Sequence, residues 1–276
     1  MAYSSVIFCI LGIIQGVTEF LPVSSSGHLA LLEAIPQVHT IFGAMDTGAK
    51  LFFNVALHLA SLAAIIIFYY NDIIKLVTGT IAEITKKHYG THCQFACNII
   101  VASIPAAMVG LFLNDVVETS ISSPALVAGL LIINGIMLIV SNKIPKKSRK
   151  CEEMGILQAL LIGLFQAVAI LPGISRSGST IVGGLLIGLK PEEAGKFSFL
   201  MAIPVIAGAG LLELRKLGTI NAFEFGIPVV IAMAITFIAA LASLKLLVAM
   251  LKSLHLHYFG YYTIIAGVVA LIILLV

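Results

Sequence analysis

The architecture of the chain is indicated by the segment Gln15-Gly-Val-Thr-Glu-Phe-Leu-Pro-Val-Ser-Ser-Ser-Gly-His28, which places polar groups at the end of an apolar run. Residues 2–21 are apolar enough to enter a bilayer, and Pro22 stops the helix before three serines and a glycine. The apolar stretch that follows, 29–35, is too short to cross back, since a spanning helix takes about 20 residues. We therefore predict a re-entrant helical hairpin over residues 1–35.

A second segment has the same form. The apolar run 155–171 ends in Leu171-Pro-Gly-Ile-Ser-Arg-Ser-Gly-Ser-Thr180, and another short apolar stretch follows at 181–189. Gly12-Ile-Ile-Gln15 corresponds to Gly163-Leu-Phe-Gln166 with an offset of 151 residues, and Ser24-Ser-Ser-Gly27 corresponds to Ser175-Arg-Ser-Gly178 with the same offset. The chain is thus predicted to be a single membrane domain of two repeats, about 1–142 and 151–276, joined by the basic loop 143–150.

Composition sets the class of protein. The chain has 276 residues, of which 60% are hydrophobic and 11% charged, against about 45–50% and about 25% in soluble domains. Soluble enzymes and nucleic-acid binders are excluded. We predict an all-α, polytopic protein with six transmembrane helices and two re-entrant hairpins. The six long apolar runs are 51–70, 95–113, 125–141, 197–212, 225–250 and 258–276.

Basic residues fall mainly on one predicted face. With both hairpins re-entrant, twelve Lys or Arg residues lie on that face and three, Lys50, Arg215 and Lys216, on the other. The positive-inside rule makes the basic face cytoplasmic and puts both termini outside. Because each repeat then holds three spans, the second repeat inserts upside down relative to the first, as in many transporters. If both hairpins instead crossed the membrane fully, basic residues would still be in excess on one face, but the excess would be smaller.

The serine- and glycine-rich turns point to an anion site. A helix that starts after such a turn presents free N–H groups and its positive dipole end, and serine hydroxyls add further donors. Two such turns meeting with Arg176 between them would hold a multiply charged phosphate, because a guanidinium grips two oxygens at once. The candidate phosphate-binding residues are Ser24, Ser26, Ser175, Ser177 and Thr180.

The first turn also carries groups suited to catalysis. Glu19 lies in an apolar helix where a charge is costly, Gln15 is one turn earlier on the same face, and His28 follows the serines. A serine nucleophile such as Ser25, a carboxylate or imidazole base, and donors around the phosphoryl oxygens suit attack on phosphorus. A transporter or flippase that moves an anion or a lipid phosphate through the same midplane site is the alternative.

These motifs resemble those of the undecaprenyl-diphosphate phosphatases of the bacitracin-resistance (BacA/UppP) type. The resemblance rests on Gln15 to Glu19, Pro22 to His28 and Pro172 to Thr180, with further matches over 53–59 and 197–204. It implies removal of the terminal phosphate of undecaprenyl diphosphate, which yields the monophosphate carrier for cell-wall synthesis and confers bacitracin resistance. Glu19 and His28 would be catalytic, and Ser25 would be the nucleophile, with His28 the alternative. Arg176 would form the phosphate clamp with Ser175, Ser177 and Thr180.

The resemblance also implies partners and a location. The substrate would be a prenyl diphosphate lipid in the plasma (inner) membrane, with the site open to the extracytoplasmic side and a homodimer left open. The family is described as assisted by magnesium or calcium, so a divalent cation near Glu19 is expected. Its first motif position is acidic or Gln, and Gln15 stands there in this chain, so we expect the cation to be bridged through substrate oxygens rather than held by two carboxylates.

Overall fold

The architecture is taken from a computed structural model of the chain, which describes residues 2–35, 38, 40, 47–112, 123–145, 147–216, 226–253 and 255–275. These ranges hold eleven named α-helices and one 3-10 turn, Cys151–Glu153, and their one β-type contact is an isolated bridge between Arg149 and Leu189. The helices are α1 (Ala2–Phe20), α2 (Ser25–Glu33), α3 (Thr47–Phe68), α4 (Tyr70–Thr85), α5 (Thr91–Phe112), α6 (Pro124–Ser141), α7 (Ile156–Val168), α8 (Arg176–Leu186), α9 (Pro191–Lys216), α10 (Gly226–Ser253) and α11 (Leu256–Leu275).

Six of these helices are long and apolar enough to cross a membrane, and each coincides with a predicted span: α3, α5, α6, α9, α10 and α11. The all-α polytopic class is thereby confirmed. Helix α9 begins six residues before the predicted run, at Pro191, because proline at the first helical position and the acidic pair Glu192 and Glu193 favour a helix start. Apolarity alone therefore marks the membrane-embedded part of a helix and not its full length.

Helix α4 was not predicted, because its mean hydropathy is too low for a span. Its exposed apolar side chains, Tyr70, Ile74, Val77, Ile81 and Ile84, recur every three or four residues and so form one face. Glu83 near its end accepts hydrogen bonds from the backbone N–H groups of His92 and Cys93 at the start of α5. These bonds, with the His92 side chain, lower the pKa of Glu83 to about 2, so the carboxylate caps α5 as an anion.

The two segments predicted to be re-entrant form helix–turn–helix units, α1 with α2 and α7 with α8. Helices α2 and α8 have nine and eleven residues, so neither is long enough to span a bilayer. Ser24 and Ser175 are their N-cap residues, and each hydroxyl accepts a hydrogen bond from the glycine N–H three residues on. The two units thus begin their second helices in the same way.

Each unit packs against the other half of the chain. Helix α1 lies on α10 and α7 on α5, while α6 lies on α11 and α3 on α9. The corresponding glycines Gly12 and Gly163 allow these approaches, because a Cβ on either would lie 2.5–2.7 Å from a backbone oxygen of Ala232 or Ala102. Thr236 and Ser243 of α10 also donate hydrogen bonds to carbonyl oxygens of α1. This exchange brings the two turns together.

Candidate active site

The two turns are joined by side chains that bond backbone groups across them. Asn134 of α6 is fully buried: its amide nitrogen donates to the Pro22 carbonyl (3.0 Å), and its oxygen accepts from the Ser175 N–H (2.9 Å). The Gly173 N–H donates to Ser24 Oγ (3.2 Å), and Ser177 Oγ donates to the Leu21 carbonyl (3.3 Å). Segments about 150 residues apart in sequence therefore form one structural unit.

The turns have constrained backbones. Ser24 adopts φ 70° and ψ 97°, a positive φ that is unfavourable for a residue with a side chain, and Gly173 in the second turn has φ 108°. The turns also approach closely, since a Cβ on Gly27 would lie 3.0 Å from the Gly173 Cα. Such strain persists only where surrounding contacts impose it, and here those contacts include the two hydrogen bonds that Ser24 Oγ accepts.

Glu19 is at the centre of the site. Ser25 Oγ donates to Glu19 Oε2 at 2.7 Å, and Arg176 Nη2 donates to Glu19 Oε1 at 2.6 Å. Gln15 Nε2 donates to Oε2 as well, at 3.1 Å. The carboxylate therefore bridges the first residue of α2, Ser25, and the first residue of α8, Arg176. The side chains of Glu19 and Arg176 are 9% and 16% exposed, so the charges are paired in a largely dry environment that a small polar group can still reach.

Two polar atoms beside this carboxylate have no hydrogen-bond partner among the described residues although they are buried: Arg176 Nη1 and Gln15 Oε1. An unsatisfied buried donor or acceptor is rare in a folded protein and often marks a place for a ligand or water. Arg176 uses one terminal nitrogen of its guanidinium, Nη2, to bond Glu19, while the other, Nη1, makes no hydrogen bond among the described residues. The site can thus accept an anionic oxygen on Arg176 without breaking the ion pair.

His28 lies outside this direct network. Its Nδ1 is 2.7 Å from the Ser24 carbonyl, which can only accept, so Nδ1 carries the hydrogen. The other ring nitrogen then accepts from the Tyr262 hydroxyl of α11 at 2.8 Å, and the two rings are stacked. No hydrogen bond joins His28 to Glu19 or Ser25 among those that the structure describes. The imidazole is therefore oriented by Ser24 and Tyr262 at the edge of the first turn.

The predicted phosphate-binding hydroxyls mostly shape the turns. Ser24 Oγ and Ser26 Oγ are 3.3 Å apart, and Ser175 Oγ and Ser177 Oγ are 3.0 Å apart. Of these four, Ser26 is exposed and the others are buried. Thr180 is also buried: its hydroxyl donates within α8, to the Arg176 carbonyl, and is 2.6 Å from Ser198 Oγ of α9. Ser26, which is exposed, and Ser25, which is half-buried, are thus the most accessible serines of the two turns.

Three residues of this site were not singled out from the sequence: His58, Asn134 and Tyr262. His58 of α3 has its Nδ1 2.9 Å from Gln15 Nε2 and so touches the network around Glu19. A histidine within an apolar span is a signal by itself, because polar groups in membranes are costly. Asn134 gave the same signal within the run 125–141, whereas Tyr262 is an ordinary residue near a span end and gave none.

A divalent cation held at the site would need oxygen ligands from the side chains of the two turns. The turn segments 15–28 and 166–180 contain one acidic residue, Glu19, and its oxygens already contact Arg176, Ser25 and Gln15. Within the described ranges, no group of three His, Cys, Asp or Glu side chains is placed to hold a metal ion. A neighbouring guanidinium also opposes a cation at Glu19. These residues therefore do not fit a cation held by the protein alone.

Fold and site together define a class: a polytopic α-helical membrane protein whose polar site is built from two helix N-termini, a carboxylate and a guanidinium. Comparison with known proteins agrees with this class. The family described as bacitracin resistance protein BacA matches residues 8–269, and the chain belongs to that family. A relative from Methanococcus maripaludis, named undecaprenyl-diphosphatase, is 40% identical over 96% of this chain and 98% of its own.

Relatives of the same name occur in distant organisms. The one from Rubrobacter xylanophilus is 37% identical over 96% of this chain and 97% of its own, and that from Thermosipho africanus is 39% identical over 95% and 97%. The similarity therefore covers nearly the whole chain, including both turns, and the resemblance inferred from the motifs is confirmed.

Proposed function

We propose that this protein is an integral membrane hydrolase that removes the terminal phosphate of undecaprenyl diphosphate. The product, undecaprenyl phosphate, would be recycled as a carrier for cell-wall polymers, and bacitracin resistance would follow. The observation that carries the proposal is Glu19, whose two oxygens bond the Ser25 hydroxyl and the Arg176 guanidinium. This is the arrangement of a nucleophile, its base and an anion clamp. The names of the relatives supply the substrate.

In the first step, Ser25 Oγ attacks the terminal phosphorus while its proton passes to Glu19 Oε2, 2.7 Å away. The unpartnered Arg176 Nη1 donates to a phosphoryl oxygen and stabilises the charge that develops there. The bond from phosphorus to the bridging oxygen breaks, and undecaprenyl phosphate leaves with the proton from Glu19. A phosphoserine remains.

In the second step, Glu19 takes a proton from a water molecule that attacks the phosphoserine, and it returns this proton to Ser25 Oγ. Inorganic phosphate is released and the resting site is restored. The engagement of both His28 nitrogens, with Ser24 and Tyr262, favours Ser25 over His28 as the nucleophile. His28 then acts as a polar neighbour of the phosphate, at the edge of the turn.

Phosphate release from undecaprenyl diphosphate by the purified protein in detergent tests the proposal. We expect one phosphate per lipid, with the lipid monophosphate as the second product, and loss of this activity in Ser25→Ala. Ser179→Ala is the matched control, because Ser179 lies within α8, where its hydroxyl donates to Met137 Sδ outside the network of Glu19. Binding of the lipid without cleavage by the wild-type protein would instead favour the transporter alternative, which the exchanged packing of the two halves also suits.

We also propose an orientation in the plasma (inner) membrane. The loop 143–150 and the ends of the spans near it would face the cytoplasm, with both termini and the opening of the site outside and the repeats 1–142 and 151–276 inverted. The twelve-to-three distribution of basic residues supports this orientation. Cysteines introduced at Lys147 or Arg149, after replacement of the four native cysteines, should resist impermeant thiol reagents in intact cells. Labelling from outside would reverse the orientation.

The divalent cation and the homodimer stay predictions. Since the protein's side chains alone do not fit a cation, magnesium or calcium would act on the oxygens of the diphosphate, as magnesium commonly does with substrate phosphates. The mass of the detergent-solubilised protein, measured by light scattering, would test the homodimer. Membrane lipid is the expected surrounding of the many exposed apolar side chains on the spans.

A further inference from the structure

A contact between His58 and Gln15 links a neighbouring transmembrane helix to the candidate active site. His58 lies on α3 and Gln15 on α1, and His58 Nδ1 is 2.9 Å from Gln15 Nε2. Gln15 is fully buried, and the same amide nitrogen is 3.1 Å from Glu19 Oε2. An amide nitrogen has two hydrogens, so both are used, one on the carboxylate and one on the imidazole.

This geometry determines the protonation of the imidazole. Turning the Gln15 amide over would put its oxygen against Glu19 Oε2, and two acceptors would then face each other. Glu19 therefore fixes the amide orientation, and the amide nitrogen can only donate to His58. Nδ1 of His58 is thus the unprotonated nitrogen of a neutral ring that carries its hydrogen on Nε2.

We propose that His58 is a positioning residue of the active site, acting through Gln15 on the direction in which Glu19 presents its oxygens. This inference rests on the proposed function. Arg176 holds Glu19 by one prong, and its Nη1 has no partner. A guanidinium and a carboxylate prefer to pair through two parallel hydrogen bonds. If the pair closed in that way, Glu19 Oε2 would leave Ser25 and Nη1 would no longer be available for a phosphoryl oxygen.

Gln15 opposes this closure because it bonds the oxygen that would have to move. Besides Glu19, His58 is the partner that holds the Gln15 amide in place, since Gln15 Oε1 has no partner among the described residues. The chain of contacts from His58 through Gln15 and Glu19 to Ser25 therefore keeps Glu19 and Arg176 joined through Nη2 alone, so that Nη1 stays available. His58 touches neither the nucleophile nor the clamp and acts only through this chain.

The second repeat, which lacks the carboxylate, supports a functional link between His58 and Glu19. Gln166 corresponds to Gln15, but Ile170 stands where Glu19 would be. Helix α9, which follows the second turn unit as α3 follows the first, contains no histidine. Gln166 is buried, and neither amide atom has a partner among the described residues. The histidine is thus present in the repeat that has a carboxylate to orient and absent in the one that lacks it.

Paired substitutions at position 58 test the role. His58→Asn keeps an acceptor oxygen near the place of Nδ1, whereas His58→Leu has a similar bulk and no acceptor. We expect His58→Leu to lower kcat about 10- to 100-fold with KM changed less than about threefold, as misplacement of a catalytic group does. His58→Asn should recover most of this loss. Gln15→Leu should resemble His58→Leu, while the matched control Gln166→Leu should keep wild-type turnover.

A second readout does not depend on turnover. Protein labelled with ¹⁵N-histidine contains seven imidazoles, and the signals missing in His58→Asn identify His58. We expect an unprotonated Nδ1 whose shift moves in Gln15→Leu. A protonated Nδ1, unchanged kcat in His58→Leu, or equal losses in the Leu and Asn variants with wild-type thermal stability would each overturn the inference. Failure of the wild-type protein to release phosphate would contradict the proposed function, and the ¹⁵N shifts would still decide the His58–Gln15 contact.

Discussion

Arg176→Lys separates the charge of the clamp from its shape. The guanidinium holds Glu19 through Nη2 at 2.6 Å, and its Nη1 has no partner among the described residues. In the proposed mechanism Nη1 binds the substrate, so one side chain would perform two tasks at fixed spacing. A lysine ammonium is a single point charge without this fork. It can pair with Glu19 or with a phosphoryl oxygen, but not with both in the same geometry. The variant should lose one hydrogen bond made in the transition state.

Such a bond contributes about 2–4 kcal/mol in preorganised sites, and about 1.4 kcal/mol corresponds to a factor of ten in rate. We therefore expect turnover to fall by a factor of tens to hundreds, with the protein still folded. The assay is phosphate release from undecaprenyl diphosphate, with the thermal unfolding midpoint measured alongside. Arg149→Lys is the matched control, because the Arg149 side chain is exposed and donates to the Ile187 carbonyl, away from the network of Glu19.

Two results would refute this reasoning. Wild-type turnover in Arg176→Lys would mean that the second prong of the guanidinium has no partner in the transition state. A loss as complete as that of Arg176→Ala, in a protein of unchanged stability, would mean that charge and shape do not contribute separately.

Three further outcomes follow from the same contacts. Ser25→Ala should lose ~10³-fold or more in turnover, because the attacking oxygen is gone, yet it should still bind the diphosphate in a separate binding measurement; near-normal turnover would move the nucleophile to His28 or to water. Asn134→Leu should lower the thermal midpoint and the activity, since it leaves the Pro22 carbonyl and the Ser175 N–H unpaired at about 1–3 kcal/mol each; an unchanged midpoint would contradict this. A chelator should reduce turnover if a cation binds the diphosphate, but it should not shift the unfolding midpoint of the substrate-free protein, and a shift would indicate a cation held by the protein.

Much of this arrangement was predictable because it follows from the residues within short stretches of sequence. The six spans follow from uninterrupted apolar runs, and the two turns follow from Pro22, Pro172 and the serines after them. The meeting of Glu19 with Arg176 was expected because the two turns match each other in sequence. A repeated motif restricts where its two copies lie, so it carries information about contacts distant in sequence.

The remaining features of the site could not be predicted, because they depend on contacts between residues that are far apart in sequence. Asn134 and His58 lie on separate spans, and nothing nearby in the sequence states that one ties the turns together or that the other bonds Gln15. His28 was expected to belong to the same site because it follows the serines, but nothing in the sequence indicates that its ring contacts Tyr262, 234 residues further along the chain. Helix α4 was missed because a helix with apolar side chains on only one face averages to a moderate hydropathy.

Ser25 and Arg176 occupy the same place, the first residue after the N-cap, in turns separated by 151 residues. Two identical halves would put the same side chain at both places and could not tell one end of a diphosphate from the other. The present chain has a hydroxyl at one place, a guanidinium at the other, and one carboxylate between them. In the proposed mechanism, this difference between the two turns gives the site a direction, and with it a distinction between the phosphorus that is attacked and the one that departs with the lipid.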